Sequence, residues 1–230
     1  MELLGTGRSA DVYALDGDRV LRRYRDGGHD AREEAAVMAY VAAHGYPVPE
    51  VYPELTEDRP ADLVMRRLSG PTMLQAVAGG SYDAEEGGRV GARLLRRLHA
   101  IPARLSPDPR DRVLHLDLHP DNVMLTPEGP VVIDWCNTAE GPPELDNALS
   151  AVILAQVAVS DADPLAAVAR PALRGLLAGL GDAMDYGAPL DEAARRRSEN
   201  VTLSAGEVGL IGAAVELIRD LGGVTPSRRR

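Results

Sequence analysis

The 230-residue chain contains no lysine and no phenylalanine, and it has a single cysteine, Cys136. Each absence removes a class of function. Without lysine there can be no Walker A phosphate loop, which needs the Lys after its second Gly. Any cation gripping a phosphate must then be Arg or His, and all 25 basic Lys/Arg positions are Arg. One cysteine permits neither an internal disulfide nor a cysteine-based zinc site. No apolar run approaches the roughly 18 residues that span a bilayer. The start Met1-Glu2-Leu3-Leu4 lacks the basic region and long apolar segment of an export signal, so a cytoplasmic protein without a membrane partner is expected. The net charge of -10 offers no cationic footprint for nucleic acid. It serves solubility in general and suits a cationic small molecule in particular.

What the chain does have is enough apolar material, 45% of residues, to bury a core as one domain or two small lobes. Asp11–Leu15 and Arg19–Tyr24 around Asp16-Gly17-Asp18 predict an antiparallel hairpin. Apolar positions Ala35, Val37, Met38, Val41 and Ala42 predict a helix over 31–43, stopped by Gly45 and Pro47. Val48–Tyr52 and Asp62–Arg67 read as further strands, for a five-stranded amino-terminal sheet. Ser69-Gly70-Pro71-Thr72 breaks both periodicities and sets a boundary between segments 1–68 and 69–230. Beyond it, Val90, Leu94, Leu95 and Leu98 share one face of a helix over 84–100. Short strands are expected at 113–116, 122–125 and 131–133. Helices follow near 145–160, 164–180, 189–198 and 204–221, with Pro171 bending or splitting the second and Ser227–Arg230 frayed.

The densest chemical signal is His115-Leu116-Asp117-Leu118-His119-Pro120-Asp121-Asn122, followed by Val131-Val132-Ile133-Asp134-Trp135. Phosphoryl transfer needs a carboxylate beside the attacking hydroxyl and oxygen ligands that hold magnesium against nucleotide phosphates. Asp117, Asn122 and Asp134 fit those three jobs. A plainer alternative makes them turn and cap residues, and a rival makes His115, Asp117 and His119 a metal-hydrolase site, since alternating residues share one face of a strand. Gly5-Thr6-Gly7-Arg8-Ser9-Ala10 also matches a dinucleotide fingerprint. That motif requires a preceding strand and a following helix, whereas Asp11–Leu15 reads as a strand; a Gly-rich turn between strands that approaches phosphates fits better.

The run from His115 to Asn122 resembles the H-x-D-x-x-x-x-N loop of the aminoglycoside phosphotransferase and choline kinase-like family, and Ile133-Asp134-Trp135 resembles its metal segment. The similarity extends from Gly5 to about Ala151 through Arg32-Glu33-Glu34-Ala35-Ala36-Val37, Pro47-Val48-Pro49 and Met65-Arg66-Arg67-Leu68-Ser69-Gly70. It implies an α+β, protein kinase-like two-lobed fold, with a small antiparallel sheet in the N-lobe and a mainly helical C-lobe. It further implies ATP, with GTP not excluded, Mg2+, and a small-molecule hydroxyl acceptor. By the same resemblance Asp117 is the catalytic base, Asn122 and Asp134 bind magnesium, and Gly5 and Gly7 belong to the phosphate-covering turn. Arg22 stands where kinases place a Lys on the third strand, with Glu34, or Glu33 beside it, as its partner. Met65 borders the adenine, which the backbones of Arg66 and Leu68 hydrogen-bond; Arg66 departs from the family's usual Glu. His99 and Asp146 are expected to be structural, Asp146 as a helix cap or a support for the loop, and Cys136 to be packing. The alternative to an enzyme is a nucleotide-binding module without catalysis. The acidic balance favours an amine-bearing acceptor such as an aminoglycoside, but the sequence does not place acidic residues such as Asp161, Asp163, Glu199 and Glu207 relative to the cleft, and it names neither the acceptor nor an oligomeric state.

Overall fold

The computed structural model describes residues 1–7, 9–25, 31–56 and 59–224, so Arg8 and Ser227–Arg230 lie outside the described residues. The chain opens with strands β1 (Glu2–Thr6), β2 (Ala10–Ala14) and β3 (Arg19–Tyr24), then helix α1 (Ala31–Ala43) and β4 (Asp62–Arg66). Next come α2 (Met73–Ala78), α3 (Ala84–Leu98), β5 (Arg112–Leu114), β6 (Val123–Thr126), β7 (Gly129–Val132) and β8 (Ala139–Gly141). The remainder is helical: α4 (Pro143–Ala158), α5 (Ala166–Leu180), α6 (Ala188–Ser198), α7 (Ala205–Gly209) and α8 (Ile211–Leu221). These elements form two compact units, one of residues 1–71 with 123–138 and one of residues 72–122 with 139–230. The break at 71/72 falls three residues beyond the expected 68/69 boundary, and the β6–β7 hairpin, expected in the later segment, clusters with the first unit.

In the first unit β1-β2-β3-β4 form an antiparallel sheet in that order. The β2–β3 turn is tied by the Asp16 carboxylate, which accepts the N–H groups of Asp18 and Arg19 at 3.1 and 2.9 Å. Leu21, Leu63 and Val64 of the sheet and Ala35, Met38 and Val41 of α1 are buried, as the helical spacing requires. The expected fifth strand is absent. Val51 makes only an isolated bridge to Met65, because Pro49 and Pro53 on either side lack the N–H groups a ladder needs. The β6–β7 hairpin is held to this unit where Val132 N–H donates to Pro47 O at 2.9 Å and Leu125 N–H donates to Pro71 O at 2.9 Å. The chain approaches that hairpin at Gly70, whose φ is +123° and where an added Cβ would lie 2.1 Å from Leu125 O. Only glycine fits there.

In the second unit α4 runs through the core, with residues Leu145–Gln156 buried, and packs on α5, α6 and α8. Helices α3 and α5 approach at backbone distance through paired glycines. A Cβ on Gly88 would meet Ala172 O at 1.9 Å, and one on Gly175 would meet Glu85 O at 1.9 Å. That contact explains why α5 is not split at Pro171: Ala169 is buried before the proline, and Ala172, Leu173 and Leu176 are buried after it. The helix expected over 204–221 is two helices, α7 and α8, meeting at Leu210; α7 begins in a capping box between Ser204 and Glu207. Helix α2, closed by a similar box between Thr72 and Gln75, and strand β8 were not foreseen.

Candidate active site

In the second unit the loop after β5 turns back at Leu116, whose φ of 62° is left-handed. A branched aliphatic residue enters that region only when its surroundings hold it there. Here the hold is Asp146, fully buried at the start of α4. Its two carboxylate oxygens accept the backbone N–H groups of His115 at 2.9 Å and Leu116 at 2.7 Å. His99 Nε2, at the end of α3, lies 3.0 Å from Oδ2 of the same carboxylate. Burial pushes this carboxyl upward, but the bond from His99 and the His115 N–H outweigh it and hold the carboxyl below its ordinary value. The loop is thus pinned at both residues preceding Asp117, by a partner 30 positions away.

Beyond the pin, Asp117 N–H donates to His115 Nδ1 at 3.3 Å. Asn122 points its amide nitrogen back at the loop, donating to Asp117 O at 2.9 Å and approaching Asp117 Oδ2 at 3.5 Å. The amide oxygen of Asn122 therefore faces away from Asp117. This side chain is 8% exposed, and its oxygen makes no hydrogen bond among the described residues. His119 Nδ1 accepts the Asp121 N–H at 3.3 Å, and its Nε2 lies 3.3 Å from the Asn122 amide nitrogen and 3.8 Å from Asp117 Oδ1. Burial lowers the His119 imidazole, keeping it neutral at pH 7. Asp121 Oδ1 accepts the Thr72 hydroxyl at 2.9 Å, tying the end of the loop to the cap of α2. His115 is wholly buried, and among the described residues no group of three or more His, Cys, Asp or Glu side chains could hold a metal ion. The arrangement of His115, Asp117 and His119 as a metal-hydrolase site is not what the loop forms.

In the first unit Arg22, on β3 and 7% exposed, has its guanidinium shared between two carboxylates. Nη1 donates to Glu34 Oε1 at 2.7 Å and Nη2 to Asp134 Oδ1 at 2.6 Å. The partner from α1 is Glu34; Glu33 faces outward. Glu34 Oε1 also accepts the Trp135 N–H at 3.2 Å, and its Oε2 accepts the Tyr24 hydroxyl at 2.5 Å. Tyr24 lies two positions from Arg22 on the same strand face, with the guanidinium carbon 5.0 Å from its ring centroid. Burial raises the Glu34 carboxyl while Arg22 and Tyr24 oppose that rise; burial and the Glu34 charge both raise the Tyr24 phenol, so it remains a donor. Asp134 has a left-handed φ of 64°. It is flanked by Trp135, fully buried, whose indole N–H donates to Val132 O at 3.0 Å. Cys136 Sγ lies 3.0 Å from Asp134 Oδ1. Burial, with the Asp134 charge behind it, pushes this thiol up to about 12, so Cys136 is a donor to Asp134 and not a nucleophile.

The remaining expected residues also fall in the first unit. Gly5 sits at a register shift in β1, and Gly7 N–H closes a turn onto Ala10 O at 2.8 Å. Arg25 steadies that turn by donating to Gly7 O at 2.5 Å and to Asp11 at 2.6 Å. Met65 is buried against Val20 and Val51. The Arg66 N–H is spent on Glu50 O at 2.8 Å, leaving only its carbonyl for a ligand, whereas the Leu68 N–H makes no hydrogen bond to another described residue. Nothing in the linear order signals the Tyr24–Glu34 bond, between residues 10 positions apart, or the contact of Cys136 with Asp134 two positions before it, because both depend on how the side chains pack.

A model of the phosphotransferase enzyme family matches residues 1–112 and 103–190. The chain belongs to that family. Its class is therefore that of a small-molecule phosphotransferase. The crystal structure of aminoglycoside phosphotransferase APH(4)-Ia matches with a TM-score of 0.62 at 12% identity, covering 98% of this chain and 93% of that one. An amicoumacin kinase in complex with AMP-PNP, Ca2+ and Ami gives 0.56 at 14% identity, over 97% and 89%. A streptomycin–ATP ternary complex of APH(2'')-IIa gives 0.55 at 12% identity, over 94% and 92%. At such identities the likeness establishes the fold, the expected α+β kinase-like one. No curated protein matches the sequence. Among the described residues no helix of this phosphotransferase is long and apolar enough to cross a membrane.

Within the second unit Asn122 turns an amide oxygen outward, and within the first Asp134 carries a carboxylate that accepts from Arg22. Hard oxygens of this kind fit magnesium, and a lone thiol, half-buried and held protonated beside Asp134, offers no set of ligands to a soft metal.

Proposed function

We propose that this phosphotransferase moves the γ-phosphoryl group of ATP to a hydroxyl of a small molecule in a magnesium-dependent reaction. The observation that carries the proposal is the pinned loop: Asp146 fixes the backbone leading to Asp117, and Asn122 turns an oxygen outward, unpartnered among the described residues. In that role Asp117 accepts the proton of the attacking hydroxyl, held in place by the loop so that little reorganisation precedes transfer. Asn122 and Asp134 supply oxygens to magnesium, which when bound neutralises charge growing on the phosphate oxygens. Arg22 replaces the missing lysine. Its Nη1 stays on Glu34, and its Nη2, which donates to Asp134, is the arm that turns to a phosphate. The Gly5–Gly7 turn covers the phosphates, and Met65, the Arg66 carbonyl and the Leu68 N–H receive the adenine.

The test is ATP consumption with candidate acceptors in the parent and in Asp117→Asn and Asp134→Asn. Asp117→Asn should lose about 10²- to 10⁴-fold in turnover while binding MgATP as before. Asp134→Asn should also weaken magnesium-dependent nucleotide binding. Full turnover in Asp117→Asn refutes the assigned base, and nucleotide binding with no turnover of any acceptor would identify a non-catalytic module instead.

A further inference from the structure

Beside the catalytic loop, wholly within the second unit, lies a hollow of about 80 Å³. Its walls are hydrocarbon: Val77 of α2, Ile153 and Val157 of α4, and Ala169 of α5. Val77, Ile153 and Ala169 are each more than nine-tenths buried. The polar side of the hollow is the loop itself, through His119 and Asp121. Asp121 is the one carboxylate among the lining residues, and it already accepts the Thr72 hydroxyl. A molecule entering here therefore has its polar end directed to the loop and its apolar end directed between the helices.

Of the four acidic residues weighed for an amine-rich acceptor, three are held in local structure, and none of the four lines the hollow. Glu207 closes the cap of α7, Asp163 accepts the Leu165 N–H at 2.9 Å, and Glu199 pairs with Arg195 at 2.6 Å. Size narrows the choice further. A dry apolar cavity of about 150 Å³ accommodates benzene, so a space of about half that takes a branched group of three to four carbons.

We propose that the acceptor carries a short branched alkyl group of about four carbons that fills this hollow while its hydroxyl meets the catalytic loop. This rests on the phosphotransferase role given above and adds the chemical class of the acceptor: a largely neutral alcohol with a compact hydrocarbon end, not a polycation. Each buried methylene gains about fourfold in affinity. Across ethanol, 2-methylpropan-1-ol, 3-methylbutan-1-ol and longer branched alkanols, affinity should climb by that factor per carbon and stop climbing once the hollow is full.

The experiment measures binding of this alcohol series by saturation-transfer NMR in the presence of a non-hydrolysable ATP analogue and magnesium, and phosphorylation of the same alcohols, choline and kanamycin. It uses the parent, Val168→Phe, which narrows the hollow at a further lining residue of α5, and Val157→Ala, which widens it. The expected result is at least a tenfold loss for 3-methylbutan-1-ol in Val168→Phe and a shift of the optimum toward longer chains in Val157→Ala, with nucleotide binding unchanged in both. A flat series, or a series that neither variant alters, overturns the hollow as an acceptor site. Phosphorylation of kanamycin or choline with KM unmoved by both variants also overturns it, while phosphoryl transfer stands. Alcohols that bind as expected with no acceptor ever phosphorylated leave the hollow established as an alkyl-binding site and refute phosphoryl transfer.

Discussion

Replacing Asp146 with Asn probes the loop at its anchor without touching the reacting groups. The carboxylate receives three donors, the N–H groups of His115 and Leu116 and the ring of His99. Asparagine keeps one acceptor oxygen and turns an NH2 toward the others, so about two of the three bonds are lost. A hydrogen bond to a buried charge contributes about 1.5–3 kcal/mol, which puts the loss at about 3–5 kcal/mol after partial relaxation. For a chain of this size each kcal/mol lowers the melting temperature by about 2–4 °C, so the variant should melt on the order of 10 °C below the parent. Leu116 no longer has a reason to stay left-handed, and Asp117 loses its fixed backbone. Turnover should therefore fall at temperatures where the variant is still folded, with nucleotide binding largely retained. Scanning calorimetry and steady-state kinetics on the same preparations measure both. A melting temperature within about 2 °C of the parent together with unchanged turnover would show that the carboxylate does not hold the loop.

The same carboxylate sets an acid limit. Its folded value lies below the ordinary 3.8, so its stabilisation is complete above that pH and lost as pH falls through the folded value. Between about pH 5 and pH 2 the parent should lose stability more steeply than Asp146→Asn, and parallel urea-midpoint curves over that range would contradict the linkage. Gly70→Ala drives a Cβ to 2.1 Å from Leu125 O at a φ of +123°; a cost of about 3–5 kcal/mol is expected, and a urea midpoint equal to the parent's would refute the close approach. Glu34→Gln leaves the buried Arg22 guanidinium with Asp134 as its remaining charged partner. It should cost about 3 kcal/mol and weaken MgATP binding by about tenfold or more, measured by titration calorimetry; unaltered nucleotide affinity would remove Glu34 from the phosphate grip.

Residue types and spacings alone determined the hairpin around Asp16-Gly17-Asp18 and helix α1, because each depends on neighbours within a few positions, whereas the kinase-like fold was legible only through the resemblance of the motifs to a known family. Periodicity reports which face of a segment is apolar, and Ala35, Met38 and Val41 declare theirs whatever they pack against. The same locality made Asp117, Asn122 and Asp134 stand out as candidates, since a loop and a hairpin present them in order. Locality also misled: Val48–Tyr52 looks like a strand until the prolines are asked for N–H groups, and α5 passes Pro171 because α3 lies against it. Tertiary structure decided everything that joins distant segments. The resemblance implies that Asp146 is a cap or a support for the loop; only the fold shows which N–H groups it grips 30 residues earlier, that Tyr24 and the Trp135 backbone share Glu34, that Arg22 rests on Asp134, and that the loop and helices α2, α4 and α5 line a hydrocarbon hollow beside His119. A hydrogen bond between residues 112 positions apart leaves no period in a single chain, because its energy is gained only once both partners have been carried out of water to the same place.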